Sequence, residues 1–344
     1  MTLKLSAPHI VALVVTMAAT IGSLVPVTHA QQNVLTVADL YDPDRRIDFD
    51  GSVPTGLTWL DNDTYIAKRL AGDPFESPFV RVDAISGERT ALIDVDSFED
   101  ALRMLPSISQ ADARDLARST NHLLDPSLAS MVVKHANTLY HFDIENNQIS
   151  TLTQTVGEKS ELSMSPNGDF VAFIEDHNLI VVDLAQQRTH TLTTDGSPRV
   201  RNGLLDWVYQ EEIYGRGNFR GYWWSPDSTH LAYLQLDDRD VPSFPILDHM
   251  PYHPGIETWE YPKAGDPNPV VKLGIVSAKG GQTTWARLDQ YQSVDPLIVD
   301  VGWTPDSHDV VFQVQDREQT WLDLNTSNRS NGAVTRILRE TSET

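Results

Sequence analysis

LYHFDIENNQISTLT at residues 139–153 and LIVVDLAQQRTHTLT at residues 179–193 align without a gap, forty residues apart. Each reads as a hairpin: a strand closing on Asp143 or Asp183, a polar turn, then a return strand carrying Leu152 or Leu192. Val82-Asp83 with Leu92 keeps the same spacing, and Trp321-Leu322-Asp323-Leu324 opens another copy. A second repeat accompanies the first. Met164-Ser165-Pro166-Asn167-Gly168, Trp224-Ser225-Pro226-Asp227-Ser228 and Trp303-Thr304-Pro305-Asp306-Ser307 share one skeleton, of which Trp59-Leu60-Asp61-Asn62 is a degraded copy. Ser or Thr bonds back to the chain, Pro presets φ, and Asn or Asp tolerates the third position of a tight turn. Counting from each Pro, the fifth residue is aliphatic (Val171, Leu231, Val310) and the seventh aromatic (Phe173, Tyr233, Phe312), which places them on one strand face. The residue between them (Ala172, Ala232, Val311) is small or branched, so both faces are expected to be buried, as in a sheet stacked between two others.

Self-similar four-strand units recurring every 40 to 50 residues or so are blades of a β-propeller. A β-sandwich of unrelated hairpins would not reproduce strand chemistry at fixed offsets. The fold class is therefore all-β. Residues 97–128, with Phe98, Leu102, Leu105, Ala111, Leu116 and Leu123 among charges, read as a helical insertion. The rest, at roughly 45 to 60 residues per blade, is enough for about five, an incomplete arc of a larger propeller.

Composition narrows function. The 344 residues carry a formal charge of −22, which opposes binding to nucleic acid or to an anionic membrane. No cysteine is present, so disulfides, thiolate metal sites and cysteine nucleophiles are excluded. Lys4, the apolar run from Ile10 to Val25 and the break at Pro26 to Ala30 read as a signal peptide over 1–30, leaving a secreted or periplasmic chain over 31–344 with no membrane segment after cleavage. His249 and His253 have metal-compatible spacing only on a helix, which Pro251 and Pro254 oppose; no metal or other cofactor is expected.

The chemistry-bearing segment is Leu204-Leu205-Asp206-Trp207-Val208-Tyr209-Gln210-Glu211-Glu212-Ile213-Tyr214-Gly215, read as lying between two blades. Asp206 suits an N-cap and Gly215 a stop, which predicts two α-helical turns over 207–214 with Trp207, Gln210, Glu211 and Tyr214 on one face. Adjacent carboxylates repel unless a cation sits between them, and a primary ammonium with three N–H donors meets that need.

LLDWVYQEEIYGRGNFRGYWWSPDSTHLAYLQLDDRDVP (204–242) and YPKAGDPNPVVKLGIV (261–276) resemble the N-terminal β-propeller of dipeptidyl peptidase IV and its bacterial relatives in the prolyl oligopeptidase clan of serine peptidases. The resemblance implies that Glu211 and Glu212 hold the free N-terminal ammonium of a peptide, with Pro or Ala as its second residue. It also implies an arginine on the substrate carbonyl. Val132-Val133-Lys134-His135 has none, which leaves Lys134 as the stand-in. The family's α/β-hydrolase domain needs a Gly-x-Ser-x-Gly elbow, which these residues lack, so the chain is expected to carry only the catalytically silent N-terminal part. Two classes stay open: the substrate-selecting domain of a secreted dipeptide-releasing exopeptidase, or a secreted module that captures peptides or amines without cleaving them. The oligomeric state is not legible.

Overall fold

The computed structural model describes residues 35–42, 47, 56–69 and 75–342. The expected signal peptide, residues 1–30, lies outside them. The chain divides into two units, Met1–Thr55 and Gly56–Thr344. In the first, Val37–Tyr41 form a short helix whose capping box is closed by Thr36 and Asp39.

Among the described residues of the second unit, five antiparallel sheets of four or five strands follow one another along the chain, at 58–91, 123–151, 159–191, 200–285 and 296–341. Four of them are four-stranded meanders in which sequence neighbours pair. Apolar cores lie between consecutive sheets. Val132, Leu139, Val171 and Phe173 join the second to the third; Phe170, Ile174, Leu231 and Tyr233 join the third to the fourth; Leu234, Leu273, Val310 and Phe312 join the fourth to the fifth. Stacking of sheets face to face is the propeller arrangement expected from strands apolar on both faces. Val171, Ala172, Phe173, Leu231, Ala232, Tyr233, Val310 and Phe312 are all buried, whereas Val311 is half-buried, because the strand Asp309–Asp316 alternates in burial along its length.

The repeats are identical down to single hydrogen bonds. The Leu139 amide donates to Thr153 Oγ1 and the Leu179 amide to Thr193 Oγ1, each at 3.0 Å. At the hairpin turns Asp143 and Asp183 accept from the Asn146 and Gln186 amides at 2.9 and 2.8 Å. In the Pro turns, Ser165, Ser225 and Thr304 side chains accept from the amides of Phe170, His230 and Asp309. These turns also join neighbouring sheets: the Asn167 amide donates to Ser228 Oγ and the Asp227 amide to Ser307 Oγ, each at 3.0 Å. A further copy, Asp125-Pro126-Ser127-Leu128, escaped the sequence reading because Asp replaces the Ser or Thr and no aromatic follows at the seventh position. Its Leu128 adopts φ 63°, and its amide donates to Asp125 O at 2.9 Å, as in the other turns.

Helices Val95–Arg103 and Gln110–Ala117, capped by Asp94 and Ser109, fill the space between the first two sheets with Phe98, Leu102, Ala113 and Ala117. Leu123–Leu124 already pair in the second sheet. Ser243–Asp248 and Gly255–Glu260 form a separate hairpin with exposed Ile246, Leu247 and Ile256, in the stretch where Pro251 and Pro254 oppose a helix.

Candidate functional site

The fourth sheet departs from the meander, and the departure creates the site. Val200–Asn202 and Tyr222–Trp224 both pair with one strand, His230–Asp237. The segment bearing Glu211 and Glu212 therefore does not lie between blades, as its sequence suggested. It is an insertion that splits one strand of the fourth sheet. The Gly221 amide donates to Gly203 O at 2.9 Å, which closes the neck of the insertion. A Cβ on Gly221 would press on the buried Leu205 side chain at 2.8 Å and approach the Gly203 backbone at 3.3 Å, so a larger residue there must displace Leu205.

Within the insertion Asp206 acts as the expected cap: its carboxylate accepts the amides of Val208 and Tyr209, each at 3.0 Å. Burial pushes the Asp206 carboxyl above its ordinary range, opposed by these two donors and by the Arg201 guanidinium. The helix that follows is not the expected α-helix. Tyr209–Ile213 is a π-turn, in which the Tyr214 amide donates to Tyr209 O at 2.8 Å. Tertiary anchoring accounts for it. The Ile298 amide donates to Tyr209 Oη at 3.3 Å, and Tyr214 Oη donates to Ile298 O at 3.1 Å. A register shift between Ile298 and Asp300 in the fifth sheet accompanies this anchorage. Two tyrosines five positions apart must then point the same way, and their rings lie 6.3 Å apart and nearly parallel. Burial raises both phenols, which keeps them protonated.

The widened turn also redistributes the faces expected of an α-helix. Tyr209 and Gln210 are buried, while Glu211 is half-buried and Glu212 exposed. Glu212 borders a cavity of about 300 Å³ with Val208, Ile213, Leu297, Val299, Gln315 and Gln319. Glu211 forms a close ion pair with Arg216, a residue the sequence reading had passed over. Its signal was a single arginine between two glycines, four residues beyond the acidic pair. A larger cavity of about 460 Å³, lined by Val271, Trp285, Leu288 and Tyr291 among others, includes neither glutamate.

Trp207 extends the wall, its ring 4.3 Å from that of Tyr261 at the foot of the exposed hairpin. Lys134 Nζ donates to Lys159 O at 2.5 Å, and no contact among the described residues joins it directly to either glutamate. Lys134 and Arg220 instead oppose the effect of burial on Glu161, whose carboxyl is raised. Among the described residues no group of three His, Cys, Asp or Glu is placed to hold a metal, and no helix is long and apolar enough to cross a membrane.

Residues 130–344 match the model of the dipeptidyl peptidase IV N-terminal region. A protein of Aspergillus fumigatus named "Probable dipeptidyl peptidase 4" is 34% identical over 174 residues, covering 47% of this chain and 22% of its own length. One of Aspergillus terreus, named "Probable dipeptidyl-aminopeptidase B", is 30% identical over 198 residues, covering 53% and 21%. The chain thus spans about a fifth of these relatives. The crystal structure of Porphyromonas gingivalis dipeptidyl peptidase 4 superposes with a TM-score of 0.68 at 21% identity, over 84% of this chain and 40% of that one, a likeness of fold.

Proposed function

We propose that this chain, which belongs to the dipeptidyl peptidase IV N-terminal-region family, is the substrate-selecting propeller of a secreted or periplasmic serine exopeptidase that releases N-terminal dipeptides. Its ligands are peptides with a free N-terminus and Pro or Ala second. Glu211 and Glu212 receive the ammonium, and the 344 residues, which contain no nucleophile elbow, do not cleave peptides by themselves. The observation that carries the reading is the pair of carboxylates on one tertiary-anchored π-turn, one of them bordering a cavity. Lys134 enters the proposal as the stand-in for the arginine on the substrate carbonyl, the role the family resemblance implies for that position.

An ammonium shared by two carboxylates forms charge-assisted hydrogen bonds worth roughly 1.5 to 3 kcal/mol each. Calorimetric titration of Ala-Pro amide and its N-acetylated twin tests this. The free amine is expected to bind, the acetylated peptide is not, and Glu211→Gln/Glu212→Gln abolishes the difference. Equal affinity of the two peptides for the wild type refutes the clamp. Release of a chromogenic group from a Gly-Pro substrate by the purified chain refutes its catalytic silence.

A further inference from the structure

The acidic pair is followed by Gly215-Arg216-Gly217-Asn218, and the ion pair this loop makes carries a consequence for ligand selection. The Arg216 side chain is 84% exposed, yet its guanidinium closes on Glu211, which is 17% exposed. The loop is tied to the π-turn from below. Buried Gln210 accepts the Gly217 amide at 2.9 Å, the Asn218 amide donates to Gly215 O at 3.0 Å, and Asn218 Nδ2 donates to Tyr214 O at 3.4 Å. Gly215 and Gly217 adopt φ of 99° and 83°, and a Cβ on either would meet nothing within 4 Å, so their role is backbone conformation and not space. A tight loop anchored through its backbone thus delivers an exposed cationic side chain to one of the two carboxylates. Glu212 has no ion pair among the described residues and faces the cavity.

On the reading of Glu211 and Glu212 as an ammonium clamp, we propose that Arg216 is a specificity-determining residue, a built-in competitor that occupies Glu211 until a primary ammonium displaces it. A guanidinium and an ammonium seek the same carboxylate oxygens, so a ligand must reach both glutamates to win the exchange. A cation that engages Glu212 alone gains no access to Glu211. The competitor is weak by design of its exposure: an exposed ion pair changes an equilibrium by only about 1.5- to fivefold. It therefore sets a threshold without blocking the site.

The test is calorimetric titration of Ala-Pro amide into the wild type, Arg216→Ala and Arg216→Lys, each also in a Glu211→Gln background. Arg216→Ala is expected to tighten binding about two- to fivefold. Arg216→Lys stays close to the wild type, and neither substitution matters once Glu211 is Gln. In the ligand-free protein the Arg216 Nε–H NMR signal is expected to move on Glu211→Gln, and in the wild type to move on addition of Ala-Pro amide. Unchanged affinity in Arg216→Ala overturns the competitor role. Weaker binding in Arg216→Ala overturns it too, and makes Arg216 a ligand contact. Failure of the wild type to distinguish Ala-Pro amide from its acetylated twin brings down the clamp itself, and the competitor with it.

Discussion

Replacing Asp206 with Ala removes the acceptor that starts the turn bearing both glutamates, and the structure sets the scale of the loss. The carboxylate is 2% exposed and takes two amides at 3.0 Å each. Loss of an N-cap costs about 1 to 2 kcal/mol, and a buried amide left without a partner adds about 1 to 3 kcal/mol. Counting the cap and one amide that finds no substitute, Asp206→Ala is expected to destabilise by about 3 kcal/mol. Asp206→Asn keeps an acceptor of equal capping rank and is expected to lose about 1 kcal/mol or less. Urea denaturation of the two variants and the wild type measures both. Because burial raises the Asp206 carboxyl, the folded state holds a proton in a pH range where the unfolded chain has released it. Its contribution to stability is therefore full below the unfolded value near ~4 and falls as pH rises through the raised folded value. Asp206's share of that slope is absent in Asp206→Asn, while that of Glu161 remains. Ala and Asn variants of equal stability refute the capping argument, and a slope undiminished in Asp206→Asn refutes the titration.

Gly168 occupies a left-handed position, φ 78°, that Ser228 and Ser307 also occupy at 60° and 62° in the equivalent turns, so conformation alone does not demand glycine there. A Cβ at 168 would instead run into the Asp125 carboxylate, and Gly168→Ala is expected to lower stability by about 2 kcal/mol, read by thermal unfolding. In the last sheet, fully buried Asp323 is gripped by Arg339 at 2.6 and 2.7 Å, by Arg336 at 3.3 Å and by Tyr291 Oη at 2.8 Å. Asp323→Ala is expected to cost about 3 kcal/mol, the low end for a broken buried pair, because both arginines can turn to water; urea denaturation decides it.

The repeats made the architecture readable from sequence. A Ser-Pro-Asp or Ser-Pro-Asn turn and an Asp-led hairpin are closed by local hydrogen bonds, from the Phe170 amide to Ser165 and from the Asn146 amide to Asp143, so each residue type specifies its own turn. The apolar residues two apart then demanded a buried strand, and four-strand periodicity demanded stacked sheets. The copy at Asp125 was missed because the turn tolerates Asp in place of Ser and Leu128 in place of Gly, a substitution the backbone permits and a pattern does not show. The adjacency of Glu211 and Glu212 and the cap at Asp206 were likewise local and legible. What the sequence could not contain was the shape of the turn between them. Local propensity favours an α-helix, and the π-turn exists because Ile298, some ninety residues further on, receives Tyr209 and Tyr214 together. The same long-range pairing, two short strands sharing His230–Asp237, decided that the glutamates project from within a blade. Tertiary contact also set that Glu212 borders the cavity, whose far wall comes from the neighbouring sheet, whereas the pairing of Glu211 with Arg216 is made within the loop that follows the turn.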